Sequence, residues 1–444
     1  MRLIALGWAL LIAAWIGGNP PFAGADEQWH YARTFDVGVG APAKASLGGN
    51  PLQIAWTNQA TRAVTIPAGL APHSVGCYIF DARKPVTDCP PLEAGRFVTP
   101  VGTYEPLPYL LPALARQPAS TPDAALMLGR IASALAAGAL LLMALALLRD
   151  SPLGLVVAVT PMVLFCASLL NGSGLEIAAA IAFSAALLRK SWRAVAISGA
   201  ILALSRSAGP LWVILIGLLF QGWRAPRATH AVVGLAIVAN RVWEALYGPD
   251  LMLGVANARN TIGPAFEEWW RASIDLVGKF GYLEIHVPLW TALLWLALLV
   301  AILVPAFRAD RLRVGIAVAT AILFPPLFWL VQYRHTGFNL QGRHMLPLLV
   351  ALPILCGSLV PRDWARRLLP VALAVTGPIQ FIGWYVDARR SAVGTDGPLF
   401  FLGDADWSPA GGWLPWAGLA LSGALILTAA ALQRLRPPGG AAAA

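Results

Sequence analysis

Apolar positions in this chain fall in long blocks, and the polar positions collect in short clusters between them. A first apolar run covers 3–16, behind Arg2. A long polar segment, 19–123, follows it, and from 124 onward apolar runs succeed one another nearly to the end. Blocks of this length predict helices, not strands. Helices are expected at 124–148, 151–170, 173–188, 194–204, 209–222, 228–246, 287–306, 313–333, 345–360, 368–386 and 413–433. The predicted fold class is an all-α polytopic integral membrane protein of about 12 transmembrane or half-membrane helices. The polar segment breaks that rule. Its Pro and Gly punctuation bounds β-like pieces such as "LQIAWT" and "AVTI", so a small extracytoplasmic insertion with short β-strands is expected there.

Two other interruptions carry information. The runs 194–204 and 209–222 are joined by "LSRSAGP". A spanning helix needs ~20 residues, so this pair predicts two half-length helices with Arg206 in a turn at mid-membrane depth. Broken backbone is tolerated at that depth only where it lines a protein or water cavity. The segment 247–286 holds "FEEWWRASIDLVGKFGYLEI" and predicts an interfacial amphipathic helix, with Trp269, Trp270 and Phe280 at headgroup level. No internal repeat divides the chain. It reads as one membrane domain, 1–444, with 19–123 as first extracytoplasmic loop, 247–286 as interfacial helix loop and 437–444 as a disordered tail.

Composition agrees: 58% of residues are hydrophobic and only 12% charged, about half the charge of a soluble chain. The net charge of +10 does not point to nucleic acid, because the basic residues sit in clusters between apolar runs. These are Arg189 with Lys190 and Arg193, Arg224 with Arg227, Arg308 with Arg311 and Arg313, Arg362 with Arg366 and Arg367, and Arg434 with Arg436. If each cluster is cytoplasmic, the orientation closes with both termini inside. The Arg-, Ala-, Gly- and Pro-rich composition reads as that of a GC-rich bacterium, and the expected location is the cytoplasmic membrane. Of the four cysteines, Cys166 and Cys356 lie in apolar runs as packing residues. Cys77 and Cys89 lie in "GCYIFDARKPVTDC" and suit a disulfide on an oxidising side. No Cys-x-x-Cys or His-x-x-x-His spacing marks a structural metal site. A divalent metal ion stays open as a cofactor.

Candidate chemistry lies at four places. Asp26 and Glu27, with His30 following, stand just beyond the first apolar run; ionisable residues at a membrane interface invite a functional reading, although any loop leaving a membrane begins with solvated charge. In "FNLQGRHMLPLL" Arg343 stands at the outer mouth of an inward-running helix, beside Gly342, which permits close backbone approach. Its guanidinium suits a phosphate and equally suits snorkelling to lipid headgroups. Glu176 lies a turn inside the apolar helix of "LLNGSGLEIAAA", so it needs a polar cavity or a cation such as Arg206. Such a pair is as much a structural tie as a chemical group. Finally "YEPLPYLLPALA", with Tyr104, Pro106 and Tyr109, looks like a rigid re-entry into the membrane. One conflict remains in "GGNPPFAGADEQWHYAR": Ala23-Gly24-Ala25 has the form of a signal-peptidase site.

Taken in order, Asp-Glu-x-x-His, Tyr-x-Pro-x-x-Tyr, "NGSGLE", "SRSAGPLW" and "QGRHMLP" resemble a bacterial family of predicted membrane proteins of unknown function, which looks like a branch of the GT-C superfamily of polyprenol-dependent glycosyltransferases. The resemblance covers nearly the whole chain. It departs from the family at Ala25, usually Pro, and at His344, often Tyr. It implies a GT-C-like fold and transfer of a sugar from a polyprenyl-phosphate donor to an extracytoplasmic glycan or lipid acceptor. A carboxylate of the first extracytoplasmic loop is then the catalytic base, Asp26 or the adjacent Glu27. Arg343 and Arg206 take the donor phosphate, and His30, Gln341, Glu176 and Tyr104 become substrate contacts. A direct displacement with one base would invert the anomeric centre. A flippase or transporter of lipid-linked glycans, and a non-catalytic envelope-assembly protein, remain as other classes. The resemblance also weighs against cleavage after Ala25, since a retained first helix would hold Asp26 at the membrane surface.

Overall fold

The computed structural model describes every residue except 47, 90, 91, 93, 94, 251–260 and 436–444. The expected tail at 437–444 and part of the expected loop 247–286 therefore lie outside the described residues. In chain order the elements are α1 (Arg2–Gly18), α2 (Glu27–Arg33), β1 (Ala41–Pro42), α3 (Pro51–Ala60), β2 (Arg62–Ile66), β3 (Gly95–Thr99), α4 (Leu107–Ala115), α5 (Pro122–Leu147), α6 (Leu153–Ala158), α7 (Pro161–Ser168), α8 (Gly172–Leu188), α9 (Trp192–Ser205), α10 (Gly209–Leu219), α11 (Arg227–Tyr247), α12 (Ile262–Ile274), β4 (Lys279–Phe280), β5 (Ile285–His286), α13 (Leu289–Ala309), α14 (Arg311–Thr336), α15 (Gly342–Leu349), α16 (Ala351–Leu359), α17 (Arg362–Val393) and α18 (Trp413–Leu435).

Among the described residues six helical stretches are long and apolar enough to cross a membrane: α5, α13, α14, α15 with α16, α17 and α18. That is half the expected number. Four more apolar helices, α1, α8, α9 and α10, have only 10–17 residues. At 1.5 Å per residue a 17-residue helix reaches ~26 Å, short of a ~30 Å hydrocarbon core. The run 151–170 fails for a local reason. Thr160 accepts a hydrogen bond from the Val163 N–H and Pro161 opens α7, so the run divides into α6 and α7.

Close contact between these helices depends on small residues. A Cβ on Gly154 of α6 would lie 2.2 Å from the Pro353 carbonyl oxygen, and one on Gly357 of α16 would lie 2.4 Å from the Gly154 Cα. With no hydrophobic drive between helices in lipid, such backbone contact is what dispersion and weak hydrogen bonds need. Helix α8 is buried on nearly every side, and its apolar circumference forms the centre of the molecule.

The insertion is mixed. "AVTI" falls in β2 of an antiparallel sheet ordered β1-β2-β3, as its alternation predicts. "LQIAWT" does not form a strand. The Asn50 side chain accepts from the Gln53 N–H at 2.9 Å and Pro51 occupies the first turn, so the segment starts as helix α3. Val64, Ile66 and Phe97 of the sheet pack on Ala32 of α2. Cys77 and Cys89 are joined in a disulfide, and Cys166 and Cys356 are free and buried. The amphipathic helix expected within 247–286 is present as α12. Phe280, expected at headgroup level, is instead fully buried against Trp15 and Phe165.

Candidate functional site

The chain leaving α1 turns sharply before α2. Phe22 and Asp26 both take left-handed backbone conformations, at φ 62° and 63°, which cost energy for a residue with a Cβ and are least costly for Asp and Asn. Asp26 occupies the position before α2, where an aspartate ordinarily caps the helix by accepting a backbone N–H from an extended conformation. Here its side chain makes no capping bond. The carboxylate accepts instead from Arg343 Nη2 at 2.8 Å.

Arg343 arrives from the first turn of α15. Gly342 lets that turn sit against α12, since a Cβ there would lie 2.7 Å from both the Ala272 carbonyl oxygen and the Asp275 Cβ. Gln341 Oε1 accepts from Arg343 Nε at 2.8 Å and fixes the fork. The Tyr282 hydroxyl, which accepts from Trp29 Nε1 at 3.1 Å, is near enough to Asp26 to favour its charged form. Tyr282 sits at the turn between β4 and β5, flanked by left-handed Gly281 and Leu283. The Glu284–Arg390 ion pair, at 2.7 Å, ties that turn to α17.

Burial raises the Asp26 carboxyl, but the Arg343 charge and hydrogen bond, with the nearby Tyr282 hydroxyl, outweigh it and hold the group below its ordinary value. Protein surrounds Asp26, yet its side chain stays 37% exposed. Solvent therefore reaches the carboxylate although protein crowds it. His30, one turn along α2, is buried. Desolvation, reinforced by the charges of Arg343 and Arg206, pushes its imidazole down to about 3, so it is neutral near pH 7. Its Nδ1 lies 2.7 Å from the Tyr109 hydroxyl.

Arg206 ends α9, and its turn requires Gly209, because a Cβ there would meet the Leu202 carbonyl oxygen at 2.2 Å. The guanidinium lies over the Tyr104 ring at 5.5 Å, donates to Ser173 Oγ at 3.0 Å and stands 3.8 Å from Glu176. Asn171, which caps α8 through the Gly174 N–H, begins the helix that carries Ser173 and Glu176. Arg206 remains 18% exposed. Tyr104 and His344 are also partly exposed among surrounding protein. His30 is within electrostatic reach of Asp26, Arg343 and Arg206 at once, and His344 of both arginines. The fold thus brings Asp26, His30, Tyr104, Arg206, Gln341 and Arg343 into one neighbourhood from four separate stretches of sequence.

Two expected site residues are closed off from solvent. Glu176 is 2% exposed, held by Arg206 and by Trp212 Nε1 at 2.9 Å, so it orients Arg206 and presents no open face. Glu27 is fully buried. Arg130 Nε and Nη2 donate to its two oxygens at 2.8 and 2.5 Å, and the Leu170 N–H adds a third bond at 3.1 Å. The remaining Arg130 donors reach the carbonyls of Ile16, Asn19 and Pro20. All five guanidinium N–H groups are thereby used. Glu27 and Arg130 form a clamp that fixes the end of α1 and the start of α2. Sequence reading passed over Arg130, although a lone Arg in the apolar run "LMLGRIASAL" was a signal for it. Nothing in "FGYLEI" set Tyr282 apart. Among the described residues no group of three or more His, Cys, Asp or Glu side chains is placed to hold a metal ion.

A family model described as "Predicted membrane protein (DUF2142)" matches residues 9–352, and the chain belongs to that family. No curated protein matches it. No solved structure matches it.

Proposed function

We propose that this family member is a membrane glycosyltransferase that moves a sugar from a polyprenyl-phosphate donor to a glycan or lipid acceptor, with Asp26 on the extracytoplasmic side of a bacterial cytoplasmic membrane. The observation that carries the reading is the Asp26–Arg343 pair, 2.8 Å apart, with Arg206 and a neutral His30 within electrostatic range. Transfer from a lipid phosphate uses a base for the acceptor hydroxyl and positive charge for the leaving phosphate, and this neighbourhood offers both.

In the reaction the acceptor hydroxyl attacks the anomeric carbon and Asp26 takes its proton. The bond from that carbon to the phosphate oxygen breaks, and its electron pair leaves with the lipid phosphate. Arg343 and Arg206 stabilise the developing negative charge. The resting ion pair gives this sequence an order. An Arg343 fork engaged with the donor phosphate withdraws charge from Asp26. The carboxyl then rises from its depressed value and becomes a stronger base at the step that uses it. Tyr282 keeps the carboxylate aimed during the exchange, and His30 with Tyr104 contacts the sugar hydroxyls. A single displacement inverts the anomeric centre.

The test is purified chain in lipid nanodiscs with a polyprenyl-phosphate sugar and an envelope glycan acceptor. Sugar on the acceptor, with inverted configuration, is the expected product. Retained configuration overturns the single-displacement step. Movement of intact lipid-linked sugar between leaflets of proteoliposomes, without transfer, overturns the enzyme reading in favour of a flippase.

A further inference from the structure

The insertion carries a concavity on the face of its sheet turned away from α2. Along β2 and β3, Val64, Ile66 and Phe97 face α2, so strand alternation sends Arg96 and Val98 to the opposite side. There the end of β1, β3 and helix α3 border an open groove of about 760 Å³, within the roughly 300–1,000 Å³ usual for small-molecule sites. Pro42 and Val98 supply its apolar floor. Its polar side chains are Lys44, Arg96, Asn58 and Gln59.

All four present donors. Asn58 Oδ1 already accepts from the Ala45 N–H at 2.7 Å, and Gln59 Oε1 from the Asp250 N–H at 2.7 Å. A backbone N–H can be met only by the oxygen of a side-chain amide, so both amides are left with their NH₂ groups free. Lys44 and Arg96 are exposed and engage no carboxylate among the described residues. No described acidic side chain lines the groove. A surface that offers two cations and two amide donors and, among the described residues, no acidic side chain suits a ligand rich in acceptors and negative charge. The groove is open and its cations come from separate segments, Arg96 on β3 and Lys44 just beyond β1, which suits an extended polymer better than a compact ion.

We propose that this groove binds an acidic glycan, with Lys44 and Arg96 on its carboxylate or phosphate groups and Asn58 and Gln59 on its hydroxyls. The placement suits an acceptor: the other face of the same sheet packs on α2, which follows Asp26, and α3 is docked near the "QGR" turn through Asn50 Nδ2 to the Gly337 carbonyl at 3.0 Å and the Trp56–Phe338 contact. Naming the ligand an acceptor rests on the glycosyltransferase reading; the binding itself does not.

The experiment is calorimetric titration of the full chain in nanodiscs with three probes: an oligogalacturonate, an oligomer of glycerol phosphate, and a neutral oligogalactose. Binding of at least one anionic probe is expected, weakened at least tenfold in the double variant Lys44→Ala/Arg96→Ala and weakened by added salt. Which anionic probe binds identifies the source of the charge. Equal binding of the neutral probe, no binding of either anionic probe, or unchanged affinity in the double variant each overturns the proposal. Both substitutions are on exposed positions, and an unchanged melting temperature confirms a folded variant. The same titration of Asp26→Asn separates the two claims. Probe binding intact in a chain that transfers no sugar upholds the groove, and transfer without probe binding sinks the groove alone.

Discussion

The clamp between Glu27 and Arg130 makes the most demanding prediction about the site, because it decides between two adjacent carboxylates. Glu27→Gln removes the negative charge while keeping shape. Arg130 is then a buried cation, 1% exposed, with three backbone carbonyls and one amide oxygen in place of a carboxylate. Breaking a buried pair from one side costs about 3–5 kcal/mol, since the remaining charge has no compensation. The amide oxygen still accepts one bond, so the lower end applies to Glu27→Gln and the upper end to Glu27→Ala. At 1.4 kcal/mol per tenfold, the folded population falls by roughly 10²–10⁴ relative to the unfolded. Thermal unfolding in one detergent measures the loss, and the double variant Glu27→Gln/Arg130→Met isolates the coupling. That pair is expected to lose less than the sum of the single variants, because the orphaned cation is gone. Transfer per folded molecule is expected to survive in Glu27→Gln. Full stability with abolished transfer would refute the reasoning and move the chemistry to Glu27.

Other expectations follow from the neighbouring groups. Tyr282→Phe deletes the hydroxyl that favours the charged Asp26 carboxylate, and a hydrogen bond to a charged group is worth ~1.5–3 kcal/mol; kcat is expected to fall by roughly ten- to a hundredfold with KM for the donor little changed, and an unaltered kcat would remove Tyr282 from the site. Glu105, buried near Glu244 and bonded to Asn240 Nδ2 at 3.0 Å, is raised to about 8, chiefly by desolvation and then by the Glu244 charge. A folded value above the unfolded one means the native state holds the extra proton, so this group lowers stability progressively from about pH 4.5 to about pH 8. Melting curves of Glu105→Gln should match the parent near pH 4.5 and exceed it at pH 8; parallel curves across that range would contradict the assignment.

The sequence made the membrane class and the position of most helices legible, because blocks of apolar residues fix both. It did not fix how many helices span. That depended on breaks such as Thr160-Pro161 and on the length of helices that stop at 17 residues, which a run of apolar letters hides. "LQIAWT" misled through its β-branched and aromatic content, while the deciding signal, Asn50-Pro51, stood just before it. At the site, Asp26, Arg343 and the Arg206–Glu176 pair were visible as charges in apolar surroundings. The roles of Glu27 and Tyr282 were not, because each depends on a partner more than 100 residues away, Arg130 and Asp26. Ala23, Gly24 and Ala25, which have the form of a signal-peptidase site, are packed in the structure. Those residues are buried in the turn that places Asp26, and a Cβ on Gly24 would lie 2.7 Å from Leu169.

The most direct measurement is single-turnover transfer from a polyprenyl-phosphate sugar by the parent chain, Asp26→Asn and Glu27→Gln, each in nanodiscs and normalised to folded protein. Loss of a positioned general base removes typically 10²–10⁴-fold. The account predicts that loss for Asp26→Asn, with Glu27→Gln retaining transfer per folded molecule. Undiminished transfer by a folded Asp26→Asn would contradict it.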